Sequence, residues 1–141
     1  MTASPPPVPP DALGLAHASY DRCCSVSDFF PSFYRDFFKR RPDVEAMFAA
    51  TDFEKQHRLL RHAIGLLLAF PTKPEDGPML LRRVAERHGR DDLNIDPALY
   101  PDWVESLIAN VADHDEEFSP AVEAAWRAAI APGIAFMLDH A

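Results

Sequence analysis

Three polar side chains stand within apolar helical stripes of this sequence: Tyr34, Gln56 and His88. His88 closes the segment GPMLLRRVAERHG, in which Leu80, Val84 and His88 fall four residues apart and stack on one helix face. An imidazole on such a face can bind a ligand or serve as a core side chain satisfied by a hydrogen bond. At a helix end it is also favoured as a cation beside the last carbonyls. Gln56 is the polar member of a stripe of Phe53, Leu60, Ala63, Ile64 and Leu67, so its amide lies at a rim or donates to a specific acceptor. Tyr34 lies among Phe30, Phe37 and Phe38. A buried phenol wants a partner, and a backbone carbonyl is the simplest one. Each group has a local explanation; an imidazole, an amide and a phenol facing one space would instead make a ligand site.

The elements that must position these groups read as helices. SDFFPSFYRDFFKR carries its aromatics three and four apart, and Pro31 falls in its first turn if Ser27 or Asp28 is the N-cap. RRPDVEAMF opens with a proline and predicts a short turn or helix. DFEKQHRLLRHAIGLLLAF predicts a helix closed by Pro71. On it His57, Arg58 and Arg61 read as a solvated face, with His62 at the rim. GPMLLRRVAERHG predicts a shorter helix ending at Gly89, and a long helix follows, entered near Asp96–Pro97. In SPAVEAAWRAAIAPGIAFMLDH, Ser119 is the expected N-cap, Pro120 the first helical residue, and Pro132 with Gly133 a kink or weak point. No period-two run is long enough for a strand, so the expected class is all-α. The proline-rich start predicts a flexible tail over residues 1–12 and one domain over 13–141.

Composition sets outer bounds. A chain of 141 residues that is 48% hydrophobic can bury a core as a single domain. A net charge of -8 would repel phosphate backbones and anionic lipid, so neither nucleic acid nor membrane is an expected partner. The N-terminus has no basic region followed by an apolar run, which argues against a signal peptide, and no segment reads as a membrane span. Cys23 and Cys24 are adjacent and span no loop. That excludes a disulfide scaffold and suggests a reducing, cytoplasmic setting.

Taken in order, SFYRDFFKRRPDVEAMF, QHRLL, VAERHG with IDPALYPDWVESLI, and FSPAVEAAWRAAI resemble the globin family, above all bacterial single-domain haemoglobins and the haem domain of flavohaemoglobins. The resemblance runs from about Ala16 to Asp139. It implies a globin fold around haem b, iron protoporphyrin IX, with His88 as the iron ligand. It further implies that Tyr34, Gln56 and Leu60 line the distal side, and that Phe48, Leu60, Val84, Tyr100 and Val104 contact the cofactor. Pro42 matches the proline that opens the family's short third helix. The carbonyl of Val84 and the hydroxyl of Tyr100 are the expected partners of the free His88 nitrogen, and Arg87, Lys55 and Arg58 are candidate partners for the haem propionates. The family also sets a glutamate near the end of its last helix; the corresponding place here falls near Ala141, so peroxidase-like chemistry is less favoured.

The implied function is reversible binding of O2, and of NO and CO, at a penta-coordinate iron. The sequence carries no Gly-rich dinucleotide loop. Nitric oxide dioxygenation would therefore need a separate reductase, and the chain by itself is not expected to be an enzyme. A haem-based gas sensor and a haem-free globin-fold interaction module are the alternative classes, and the oligomeric state is open.

Overall fold

The computed structural model describes residues 8–71 and 97–139. Among the described residues there are six α-helices and no strand: α1 Pro10–Cys24, α2 Phe29–Arg40, α3 Pro42–Glu45, α4 Phe53–Ala69, α5 Leu99–His114 and α6 Pro120–Asp139. A single 3₁₀ turn, Ala46–Phe48, joins α3 to α4. The all-α expectation holds. The segment GPMLLRRVAERHG, with Val84 and His88, lies outside the described residues.

Local chemistry explains the boundaries. Asp52 caps α4 by accepting from the amides of Glu54 and Lys55, and the helix ends at Ala69, two residues before Pro71. Ser119 accepts from the Val122 amide at 3.2 Å, and Pro120 opens α6. Asp28 stands at the start of α2, but its carboxylate pairs with Arg35 and caps nothing. Pro132 interrupts neither end of α6, which continues through it to Asp139.

Two features depart from the sequence reading. Pro10, Asp11 and Ala12 belong to α1 and not to a tail, because proline is tolerated in the first turn of a helix. The inward face of α1 is Ala16, Ser19, Tyr20 and Cys23, small and polar residues whose spacing is helical but whose apolar signal is weak. Second, α6 is long and apolar enough, by length and composition, to cross a membrane. Its contacts account for that apolarity: it packs chiefly on α1 and α4 and buries Trp126, Ala129 and Ile130 completely or nearly so. The other main contact joins α2 to α5. Phe29, Phe33, Ile64, Leu68, Leu107 and Trp126 are the large side chains at the centre of the core.

A buried polar knot fixes α1 against the corner between α5 and α6. Ser19 Oγ donates to Asp115 Oδ2 at 2.6 Å and accepts from Trp126 Nε1 at 2.9 Å. Arg22 meets both Asp115 oxygens, and the Glu117 amide donates to Oδ1 at 2.9 Å. The Asp115 side chain is wholly buried, yet every lone pair facing the protein has a donor. The Arg22 hydrogen bonds come first in holding its carboxyl down to about 2, against the opposing effect of burial.

Because the folded pKa lies below the unfolded one, the charged form stabilises the fold above about pH 4, and that contribution is lost as the pH falls toward 2. Its size is about 2 kcal/mol. Asp115→Asn should therefore lower the unfolding free energy at pH 7 by roughly 2 kcal/mol or more, since it removes the buried charge that Arg22 bonds and leaves that cation only the exposed Glu117. It should also flatten the loss of stability between pH 4 and pH 2. Urea denaturation across that range measures both; a variant with the wild-type acid profile would show that Asp115 does not anchor the corner.

Candidate functional site

The site is built where α2 and α4 approach each other. Tyr34 lies in the middle of α2, on the same face as Phe30, Phe33 and Phe37, and is 5% exposed. Gln56 lies in the first turn of α4, at a position set by the Asp52 cap. Its Nε2 donates to Tyr34 Oη at 3.0 Å. The distal pair named from sequence is thus joined directly. Leu60, one turn further along α4, is buried beside it.

Electrostatics define what this pair can do. Burial pushes the Tyr34 phenol up to about 12, with the Gln56 donation acting in the opposite direction. The phenol is therefore protonated at neutral pH. Its oxygen is engaged by the amide, and no described residue accepts its hydrogen. A protonated hydroxyl held in place by a neighbour, with its own hydrogen unspent, is a donor available to a third group.

Aromatic rings enclose it. The Tyr34 ring lies 5.2 Å from Phe33, 5.7 Å from both Phe48 and Phe53, and 5.9 Å from Phe38, measured between centroids. Phe48, expected against a cofactor, ends the 3₁₀ turn and packs on this cluster half-buried. Trp103 of α5 closes the side toward Phe33 at 5.6 Å. No sequence signal singled out Trp103, because it stands among the many apolar residues of α5.

His57 corrects the sequence reading. It does not face solvent with Arg58 and Arg61; its ring is half-buried, 5.6 Å from Tyr34 and 5.9 Å from Phe53. The cause is the spacing of four from Phe53, which carries His57 back over the aromatic cluster. Burial lowers its pKa. Arg58, Arg61 and His62 are exposed.

Tyr100 stands in the first turn of α5 and is 8% exposed. Its hydroxyl is buried and has no hydrogen-bond partner among the described residues. Burial raises its pKa, so it too is a neutral phenol. Val104, one turn on, is half-buried against the core. Arg41 spans from Asp43 of α3 to Asp102 of α5 and ties the two elements together next to Tyr100. Val84 and His88 lie outside the described residues, so the structure brings together Tyr34, Gln56, Leu60 and Phe48 and sets Tyr100 and Val104 on α5.

A globin family model matches residues 31–137. The chain is a globin. This globin also matches a solved structure from Pseudomonas aeruginosa PAO1, described as structurally highly homologous to a human hemoglobin. That protein is 35% identical, with a TM-score of 0.85 over 92% of this chain and 97% of the other. Comparison with curated proteins finds no match. The expected globin fold is thereby established, and globins generally bind haem.

The lowered His57 pKa has a direct check. Its imidazole should titrate below the ordinary range for histidine, near 6.5. Phe53→Ala opens the ring to water and should bring the titration upward toward that range. Following the histidine Cε1–H resonances by NMR against pH measures both values. An unchanged His57 titration in the variant would mean that Phe53 does not shield the ring.

Proposed function

We propose that this globin binds haem b through His88 and uses it to hold diatomic gases, O2 first and also NO and CO. One observation carries the reading: the Gln56 amide donates to the oxygen of a buried, protonated Tyr34, and no described residue takes the phenolic hydrogen. Two features of the described residues support the cofactor. A Tyr100 hydroxyl with no partner among the described residues suits the free nitrogen of a histidine ligand, and the Phe48 ring suits a flat macrocycle. The Pseudomonas aeruginosa protein's likeness to a human hemoglobin supports the same reading.

Haem, when bound, supplies an iron with one position open to a diatomic. The chain does the rest. Tyr34 would donate to a bound gas, and Gln56, which bonds the phenol oxygen, would hold the hydroxyl in place. Leu60 and the phenylalanines keep water out, which strengthens that hydrogen bond and slows oxidation of the metal. Tyr100 would be the residue of α5 to orient an imidazole ligand. Conversion of nitric oxide would require electrons from a separate reductase; without one, the chain is a binding protein.

His88→Ala should abolish stoichiometric haem uptake, with recovery on adding imidazole, whereas His57→Ala and His62→Ala should keep a nearly wild-type Soret band. Titration of the apoprotein with haemin reads all three. Loss of uptake in His57→Ala alone would assign the iron to the wrong histidine.

The distal pair is separable by gas. Tyr34→Phe keeps the ring packing and removes the donor, so O2 dissociation should accelerate about tenfold or more, matching a loss of roughly 1–3 kcal/mol. CO, which gains far less charge, should change little. Gln56→Leu should act in the same direction, and the two effects need not add because the groups bond to each other. Stopped-flow dissociation of both gases decides it: equal acceleration for both would mean that the substitutions act through access or packing.

A further inference from the structure

Two further buried polar atoms on α5 have no partner among the described residues: Ser106 Oγ and Asn110 Oδ1. Ser106 is 0% exposed and Asn110 1%. Trp103, Ser106, Asn110 and His114 follow one another at intervals of three and four, so they share one face of the helix. That face meets α2. The Trp103 ring lies 5.6 Å from Phe33 and the His114 ring 5.7 Å from Phe29, between centroids. Asn110 Nδ2 donates to the Phe29 carbonyl at 2.7 Å. Ser106 therefore stands between two places where α5 touches α2.

The chemistry of each group defines what would satisfy it. The Asn110 amide has one possible orientation, because a carbonyl accepts only from a donor and the nitrogen must face Phe29. Its oxygen then points elsewhere and needs a donated hydrogen. A serine hydroxyl within a helix commonly donates to the carbonyl four residues back, but Ser106 bonds neither Asp102 nor any other described residue. It has one hydrogen to give and lone pairs to receive. In a dry core both atoms would be costly to bury. A group that suits them must donate to an amide oxygen, bond a hydroxyl and fit between packed helices. Water does all three. A diatomic gas such as O2 or CO has no hydrogen to donate, and a cation would bring an unpaired charge into the core.

We propose that α5 and α2 enclose a buried water that donates to Asn110 Oδ1 and bonds Ser106 Oγ. Together with the Asn110 bond to Phe29, it makes a polar joint in the contact that sets α2, the helix carrying Tyr34, against α5. The site needs no haem and does not rest on the gas-binding reading.

A crystal structure of the full chain should show one ordered water within hydrogen-bond distance of both atoms. Ser106→Ala tests the energetics by sign. It deletes a bonded hydroxyl, so urea denaturation should show the unfolding equilibrium constant raised about fivefold. A hydroxyl buried without a partner would give the opposite result, because alanine relieves its desolvation. An alanine variant as stable as the wild type, or more so, would overturn the proposal. So would a dry site in the crystal, a Ser106 hydroxyl bonded directly to Asn110 or to the Asp102 carbonyl, or a side chain from residues 72–96 bonded to either atom.

Discussion

The hydrogen bond from Gln56 to Tyr34 is the constraint on which the site depends. A phenol buried in a cluster of phenylalanines cannot be left without a partner. Here the partner comes from another helix, so the bond fixes the approach of α2 and α4 as well as the orientation of the hydroxyl. A backbone carbonyl in its place would have consumed the phenolic hydrogen. An amide donor consumes the oxygen and frees the hydrogen. That difference separates a merely satisfied core tyrosine from one able to hold a polar ligand.

The frame around this bond is braced by charge at its corners. The Asp115 knot anchors α1 to the turn before α6, and Arg41 clips α3 to α5. Tyr20 adds a tie from α1 to α4 by donating to the Arg61 carbonyl at 2.8 Å. Between these ties the core is filled by aromatic and aliphatic side chains. The neutral phenols Tyr34 and Tyr100 are buried there on opposite helices.

Much of the fold was legible because its signals are local. The aromatic stripe of α2, the Ser119–Pro120 start of α6 and the Pro71 stop after α4 each depend on residues within a turn or two. The Tyr34 and Gln56 pair was legible only through family resemblance, since their meeting spans 22 residues. Three features were not legible. The inner face of α1 is built from Ala16, Ser19 and Cys23, whose burial depends on Asp115 and Trp126 about a hundred residues away. His57 has an arginine one turn on, and amphipathicity averages the two; only the Phe53 and Tyr34 rings pull the imidazole inward. Tyr100 bears no mark in the sequence of a hydroxyl buried with no partner among the described residues, because that depends on everything packed around it.

The infrared stretching frequency of carbon monoxide bound to the haem-loaded protein tests the central claim most directly. A hydrogen-bond donor aimed at the gas lowers the frequency, because positive charge near its oxygen draws electron density into the C–O antibonding orbital. A donating Tyr34 held by Gln56 predicts a low-frequency band in the wild type that moves upward in Tyr34→Phe. A wild-type band at the frequency of an apolar environment, unmoved by that substitution, would contradict a Tyr34 hydroxyl facing the gas.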